Sequence, residues 1–136
     1  MFRGKSTKDG TWVYGSYEEI MQVFTPRPIA YIHSLMDWNL NNTIEVYDDT
    51  VSQSTGLKDK NGKMIYEGDI IKMRYPYDKR YFGKFVVVKD FDSPKFGLLD
   101  KTKTNEVFDL YSHMSNHYEV IGNINLNPEL LENKND

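Results

Sequence analysis

The stretch that decides the fold is residues 51–71, VSQSTGLKDKNGKMIYEGDII, in which turn residues separate short β-prone runs. Gly56 can take a positive φ, because it has no side chain to clash with the backbone. Asn61-Gly62 favours a type I′ hairpin turn, since both central residues of that turn need positive φ. Gly68-Asp69 then precedes the apolar run 70–71, as at the first strand of many small five-stranded barrels. The stretch therefore predicts a hairpin followed by the first strand of a small β unit.

The N-terminal side also consists of short β-prone runs. Asp9-Gly10 lies between the runs 2–5 and 11–15 and predicts a hairpin. Residues 18–24 fit either one helical turn or an irregular strand. Two further strands are predicted, at 29–35 (IAYIHSL) and 43–47 (TIEVY), with a polar connection at 36–42.

The C-terminal side continues the pattern. Four more strands are predicted, at 84–89 (KFVVVK), 96–99, 106–110 and 118–124, with a helical or 3₁₀ turn at 112–116 and a helical turn at 128–131. Several short strands separated by turns are typical of a barrel or sandwich. We therefore predict a mainly β fold with three parts. These are an N-terminal β portion with a hairpin linker (1–64), an SH3-like small β-barrel (65–124) and a C-terminal tail (125–136).

The composition indicates a folded protein. Aromatic residues are 14% of the 136 residues and include ten tyrosines, which argues against disorder. The net charge of −3 excludes a chain that is a polycation as a whole. Without cysteine, the chain has no disulfide, thiolate metal site or cysteine nucleophile. No apolar run reaches the length of a membrane span, and none follows the basic N-terminus, so we expect a cytoplasmic protein without a membrane partner.

The strongest candidate binding site is the segment 72–84, KMRYPYDKRYFGK, which combines cations with tyrosines. Its five cations outnumber one acid, Asp78, for a local charge of about +4. Because cations attract phosphates and aromatic rings stack on bases, this pairing suits single-stranded nucleic acid. The same tyrosines suit a groove for an extended protein segment, or a solvated hairpin that packs on the barrel. The candidate binding residues are Lys72, Arg74, Tyr75, Tyr77, Lys79, Arg80, Tyr81 and Lys84.

Two histidines, His113 and His117, have the i, i+4 spacing that on an α-helix presents two imidazoles to one zinc ion. The glutamate of an HExxH motif is missing, and the expected element is barely one turn long. Two exposed polar residues in a turn therefore fit this pattern better. The sequence also lacks a nucleophile elbow and a Gly-rich phosphate loop. We therefore predict no catalytic residues, no metal site and no cofactor, and a protein that is not an enzyme.

Three motifs carry a family resemblance: TGLKDKNGKMIYEGDII at 55–71, the opening FRGK and GTWVYG at 2–5 and 10–15, and the close YEVIGNINLNPELL at 118–131. Together they resemble the YopX family of phage and prophage proteins. The resemblance implies a mainly β protein with an SH3-like C-terminal barrel and self-association. It supplies no catalytic residues. The glycines and Asn61 of the central motif fit turn positions, and Asp69 fits a side chain that bonds to nearby backbone groups.

These features together predict a non-enzymatic interaction module that acts as an oligomer on a host or phage protein. The alternative is a nucleic-acid-binding protein that uses the segment 72–84. Acids such as Asp48 and Asp49 on one subunit could meet the basic segment of another and favour assembly.

Overall fold

The computed structural model describes residues 1–23, 27–34, 43–89, 95–101 and 106–131. The predicted connection at 36–42 lies outside these ranges, as does the end of the predicted tail. The described chain is mainly β, as predicted, with eleven strands in two sheets and four short 3₁₀ helices. It divides into two compact units, Met1–Ser54 and Thr55–Asp136.

The first unit is an antiparallel meander. Its strands are β1 (Phe2–Lys5), β2 (Trp12–Ile20), β3 (Ile29–Ser34) and β4 (Thr43–Val46), in the order β4-β3-β2-β1. The predicted β1–β2 hairpin is confirmed. Gly10 has a φ of +70°, and the Asp9 carboxylate accepts a hydrogen bond from the N–H of Thr11 at 3.0 Å. Residues 18–20 continue β2, so the strand alternative is correct for that part of 18–24.

Alternation along these strands places apolar side chains on one face of the meander. Ala30, Ile32 and Val46 are buried there, and Phe2, Val13, Tyr17 and Val51 pack around them. The outer edge of β4 is covered by the chain that follows β1. The N–H of Thr7 donates to the carbonyl of Glu45 at 3.1 Å, and the N–H of Tyr47 donates to the carbonyl of Lys5 at 2.9 Å.

Strand β5 (Ser52–Lys58) starts in the first unit and continues into the second, where β6 (Met64–Tyr66) follows it in the strand order. The second unit also contains a five-stranded antiparallel sheet. Its strands are β7 (Asp69–Arg74), β8 (Phe82–Lys89), β9 (Phe96–Leu99), β10 (Val107–Asp109) and β11 (Tyr118–Asn123), in the order β10-β9-β8-β7-β11.

Closure of this sheet into a barrel, which was predicted, is not observed within the described residues, because β10 and β11 are its two end strands and do not pair with each other. The two predicted helical turns are confirmed. A 3₁₀ helix, Ser112–His117, precedes β11, and another, Pro128–Leu131, follows it. The core beneath the sheet consists of Ile65, Ile71, Met73, Phe85, Val87, Leu98, Met114 and Tyr118.

The hairpin between β5 and β6 differs from the prediction by one residue. The N–H of Gly62 donates to the carbonyl of Asp59 at 3.0 Å, so Lys60 and Asn61 are the central residues of the turn. Gly62 follows the turn at a φ of +79°, as in hairpins with a bulged loop. The Asp59 carboxylate explains this register, because its Oδ1 accepts hydrogen bonds from the N–H groups of Asn61 and Lys63 at 2.9 Å each.

The other motif positions behave as predicted. Gly56 and Gly68 have φ values of +81° and +86°, which only glycine adopts without strain. Asp69 is buried, and its carboxylate accepts a hydrogen bond from the N–H of Tyr66 at 2.8 Å. The motif therefore serves the local fold.

The boundary between the units lies between Ser54 and Thr55, whereas the sequence pattern placed it after residue 64. The contacts of the hairpin account for this difference. The hydroxyl of Thr55 donates to the carbonyl of Ile65 at 2.8 Å, and Ile65 is fully buried in the core of the second unit. The hairpin consequently belongs to the second unit.

Candidate binding site

The predicted segment 72–84 forms the β7–β8 hairpin of the second unit. In its register Lys72 pairs with Lys84 and Arg74 pairs with Phe82, which leaves residues 75–81 as the loop. The N–H of Tyr75 donates to the carbonyl of Tyr81 at 3.2 Å and closes the loop. A 3₁₀ helix, Lys79–Tyr81, completes the return to β8.

Asp78 stabilises this loop and neutralises one of its cations. Its carboxylate accepts a hydrogen bond from the N–H of Arg80 at 3.0 Å and caps the 3₁₀ helix. The same carboxylate forms an ion pair with the Arg80 guanidinium at 2.7 Å. Hydrogen bonds from Arg80 hold the pKa of Asp78 below its ordinary value. Arg80 is therefore already committed within the loop, and Lys79 beside it is exposed.

Three of the predicted cations lie together on the outer face of the hairpin. Because side chains alternate along a strand, Lys72 and Arg74 share one face of β7, while Met73 between them faces the core. Lys84 and Phe82 stand opposite them on β8, and the Arg74 guanidinium lies 5.7 Å from the centre of the Phe82 ring. A depression of about 280 Å³ opens at this face.

The C-terminal 3₁₀ helix supplies a partner for one of these cations. The Lys84 ammonium donates a hydrogen bond to the carbonyl of Leu130 at 2.8 Å. The turn before that helix is held by Asn127, whose N–H donates to the carbonyl of Asn123 at 2.7 Å. Lys72 and Arg74 remain the exposed cations of the face.

The tyrosines of the segment form a separate aromatic cluster. Tyr75 lies at its centre, with ring centroids at 5.4 Å from Tyr77, 6.0 Å from Tyr81 and 5.1 Å from His117. Tyr81 continues the cluster to Phe108 at 5.1 Å. Tyr75, Tyr81 and Phe108 also pack against the core of the unit. Tyr77, by contrast, is 84% exposed.

The structure thus divides the predicted site in two. The cations Lys72, Arg74 and Lys84 share one face with Phe82, and the tyrosines join His117 and Phe108. Phe82 could have been found from the sequence by extending the alternation of β7 and β8 to the loop. Phe108 and His117 could not, since their contacts connect residues more than 25 positions apart in the chain.

The two histidines considered for zinc are directed to different tyrosines. His117 contacts Tyr75, whereas His113 lies 5.1 Å from the ring of Tyr111. Both lie on a 3₁₀ helix, which has three residues per turn, so positions i and i+4 do not share a face. Within the described ranges, no three His, Asp or Glu side chains are grouped so that they could hold a metal ion.

A polar network in the first unit was not predicted from the sequence. His33 Nε2 lies 2.5 Å from a Glu18 carboxylate oxygen, and its Nδ1 lies 2.9 Å from the Thr43 hydroxyl. The three residues come from β2, β3 and β4, and all three side chains are on a solvent-exposed face. Water reaches this face freely, and we assign no chemistry to the network.

These features define a small β protein of two units with an exposed aromatic and cationic surface on its second unit. The sequence profile described as "YopX protein" matches residues 1–132. The chain therefore belongs to the YopX family, which the motifs indicated.

A solved structure, protein EF1440 from Enterococcus faecalis, is similar to this chain, with 26% sequence identity and a TM-score of 0.52. The match covers 96% of each chain, so both units are included. No curated protein matches the sequence. Among the described residues, no helix has the length and apolar character needed to cross a membrane.

Proposed function

We propose that this protein is a non-enzymatic interaction module that works in the cytoplasm as an oligomer on a host or phage protein. The observation that carries the proposal is the exposure of Tyr77 beside aromatic rings that pack on the core. A tyrosine offers a large contact area at a low cost in conformational entropy. Because Tyr75 and Tyr81 are packed against the core, the surface next to Tyr77 is already ordered before a partner arrives.

The partner chemistry that fits this surface is an extended, proline-rich protein segment. Such segments dock on grooves lined by aromatic rings and lose little entropy, since they are extended before binding. The rings of Tyr77, Tyr75 and His117 follow one another at 5.4 and 5.1 Å in nearly perpendicular orientations. Prolines of the partner would pack on the exposed ring of Tyr77, which is 84% accessible.

The same proposal includes an SH3-like arrangement of the second unit. The strand order β10-β9-β8-β7-β11 and the 3₁₀ helix before β11 support it. The tyrosine-rich loop 75–81 then corresponds to the first long loop of such a barrel. An experimental structure with a flat, uncurved sheet in this unit would contradict the arrangement.

Affinity capture from phage-infected or induced cells tests the proposal. The bait proteins are the natural chain, Tyr77→Ala and Tyr47→Ala, because Tyr47 is also exposed (50%) but lies in the first unit. We expect one partner to be retained by the natural chain and by Tyr47→Ala, and to be lost or reduced at least tenfold with Tyr77→Ala. Equal retention by all three baits would reject the tyrosine surface.

The second candidate function is binding of single-stranded nucleic acid. It is favoured by the exposed cations Lys72 and Arg74, which share a face with the Phe82 ring, since cations follow the phosphates while an aromatic ring stacks on a base. Arg74→Ala should weaken binding to oligonucleotides and reduce its salt dependence. Arg80→Ala is the matched control, because the Arg80 charge is already paired with Asp78. Absence of binding at low salt would eliminate this candidate.

A further inference from the structure

The edges of the sheets differ in how they are covered. The outer edge of β11 is occupied by the β5–β6 hairpin: the N–H of Lys60 donates to the carbonyl of Tyr118 at 2.9 Å, and the N–H of Val120 donates to the Asp59 carboxylate at 3.0 Å. The outer edge of β4 is likewise bonded to the chain that follows β1. Natural proteins cover strand edges in this way to prevent unwanted pairing.

Strand β10 is the contrasting case. It is the last strand of its sheet, and it pairs only with β9 within the part of the chain that the structure describes. Asp100 N–H donates to the carbonyl of Glu106 at 2.9 Å, so these two residues form a hydrogen-bonded pair. Bonded and non-bonded pairs alternate in an antiparallel ladder. Val107 and Asp109 therefore direct their backbone N–H and C=O groups away from β9, toward the open edge.

We propose that β10 is the self-association edge, on which β10 of a second copy of this chain docks in antiparallel orientation. This inference rests on the oligomer in the proposed function and names its interface. A two-fold axis through Phe108 sets Val107 opposite the partner's Asp109. The outward N–H and C=O groups of Val107 then bond to those of the partner's Asp109. The two-fold axis generates a second, identical pair.

Two features make a second copy a suitable occupant. The pairing is self-complementary, because the two-fold axis sets Val107 of each copy opposite Asp109 of the other. It also sets an apolar side chain beside an acid, so that the two Asp109 carboxylates do not face each other. Val107 is 56% exposed in the single chain, and in the pair its side chain would contact that of the partner's Asp109. A three-residue edge buries little surface, which predicts a weak, concentration-dependent dimer.

Sedimentation velocity over a concentration series tests the inference. We expect the mass of the natural chain to rise from 16.0 kDa toward twice that value as concentration increases. Val107→Pro should stay monomeric, because proline removes the outward N–H and blocks an added strand. Val107→Thr is the matched control: it keeps the N–H and should associate like the natural chain. Circular dichroism of each variant checks that the β fold is retained.

The outcomes separate this inference from the broader proposal. An oligomer that survives in a folded Val107→Pro variant overturns the β10 interface but leaves the oligomer standing. A monomer at every concentration overturns both. If the proline variant does not fold, amide hydrogen exchange of the natural chain decides. Protection of the Val107 and Asp109 amides that rises with concentration supports the interface, and protection that does not change overturns it.

Discussion

The carboxylate of Asp59 accepts a hydrogen bond at 3.0 Å from the backbone N–H of Val120, which lies 61 positions further along the chain. The same carboxylate holds the hairpin turn through the N–H groups of Asn61 and Lys63. One side chain, only 6% exposed, thus ties the β5–β6 hairpin to the final strand. It satisfies three backbone donors that would otherwise need water.

Replacement of Asp59 should therefore destabilise the second unit. We expect Asp59→Ala to lower the free energy of unfolding by about 2–4 kcal/mol, because buried donors lose a charged acceptor. Asp59→Asn should cost less, since its one amide oxygen can still accept. Urea unfolding measures both. Asp9→Ala is the control: Asp9 also accepts hydrogen bonds, from Thr11, but is exposed and should cost less than about 1 kcal/mol. Equal losses at the two positions would contradict the role of Asp59.

Asp59 should also make stability depend on pH in the acid range. Burial alone raises the pKa of this carboxyl, but hydrogen bonds from the N–H groups of Val120, Lys63 and Asn61 outweigh it and hold the pKa below its ordinary 3.8. The unfolded chain therefore takes up the proton first as pH falls. The contribution of Asp59 is complete above pH 3.8 and is lost as pH decreases through the lower folded-state pKa. In acid, the difference in stability between the natural chain and Asp59→Asn should shrink. A constant difference would argue against this titration.

Tyr118 offers a test at alkaline pH. Its ring is fully buried, its hydroxyl accepts a hydrogen bond from the N–H of Tyr111 at 3.1 Å, and burial raises its pKa to about 12. The unfolded chain ionises this phenol near pH 10, so Tyr118 should lose its stabilising effect as pH rises from 10 to about 12. Tyr118→Phe should cost about 1–2 kcal/mol at neutral pH by removing an acceptor.

The phenolate absorbance in the near ultraviolet follows the titration of Tyr118. The variant should lack one late-ionising tyrosine. A second late tyrosine remains, because burial followed by a hydrogen bond to Glu19 raises the pKa of Tyr17 to about 12. If Tyr118→Phe instead lost one tyrosine's absorbance change near pH 10, this phenol would be shown to ionise normally.

Gly15 is the glycine that we expect to tolerate substitution least. A Cβ built on it would lie 1.9 Å from the backbone oxygen of His33 in the neighbouring strand, so the strands would have to separate. We expect Gly15→Ala to cost about 3 kcal/mol or more. Gly10→Ala is the matched control, because its Cβ would meet open space and only its positive φ opposes the change, at about 1–2 kcal/mol. Thermal unfolding compares the two. A smaller loss at Gly15 would show that β2 and β3 can move apart freely.

The strands could be predicted from the sequence because their signals are local. The runs at 84–89 and 96–99 alternate or are continuously apolar, and the structure contains β8 and β9 there. The 3₁₀ helix before β11 was predicted for the same reason. The hairpin turn was misplaced by one residue because the Asp59 side chain, and not the Asn-Gly pair, fixes its register.

The parts that could not be predicted depend on contacts between distant residues. The sequence predicts one continuous site in the segment 72–84. In the structure, alternation along the strands and packing on the core separate its outer cations from its inner tyrosines. The hydrogen bond from Lys84 to Leu130 spans 46 positions, and no local sequence pattern predicts it. The same limit applies to the unit boundary, which is set by where the hairpin packs.

The course of β5 has a practical consequence for anyone who dissects this protein. Ser54 and Thr55 are neighbours in one strand, but the Ser54 N–H bonds to the Met1 carbonyl whereas the Thr55 hydroxyl bonds to the Ile65 carbonyl. A protease or a cloning site placed between them would cut through a strand that each half needs. Fragments designed for separate expression should therefore overlap, and each should carry all of Ser52–Lys58.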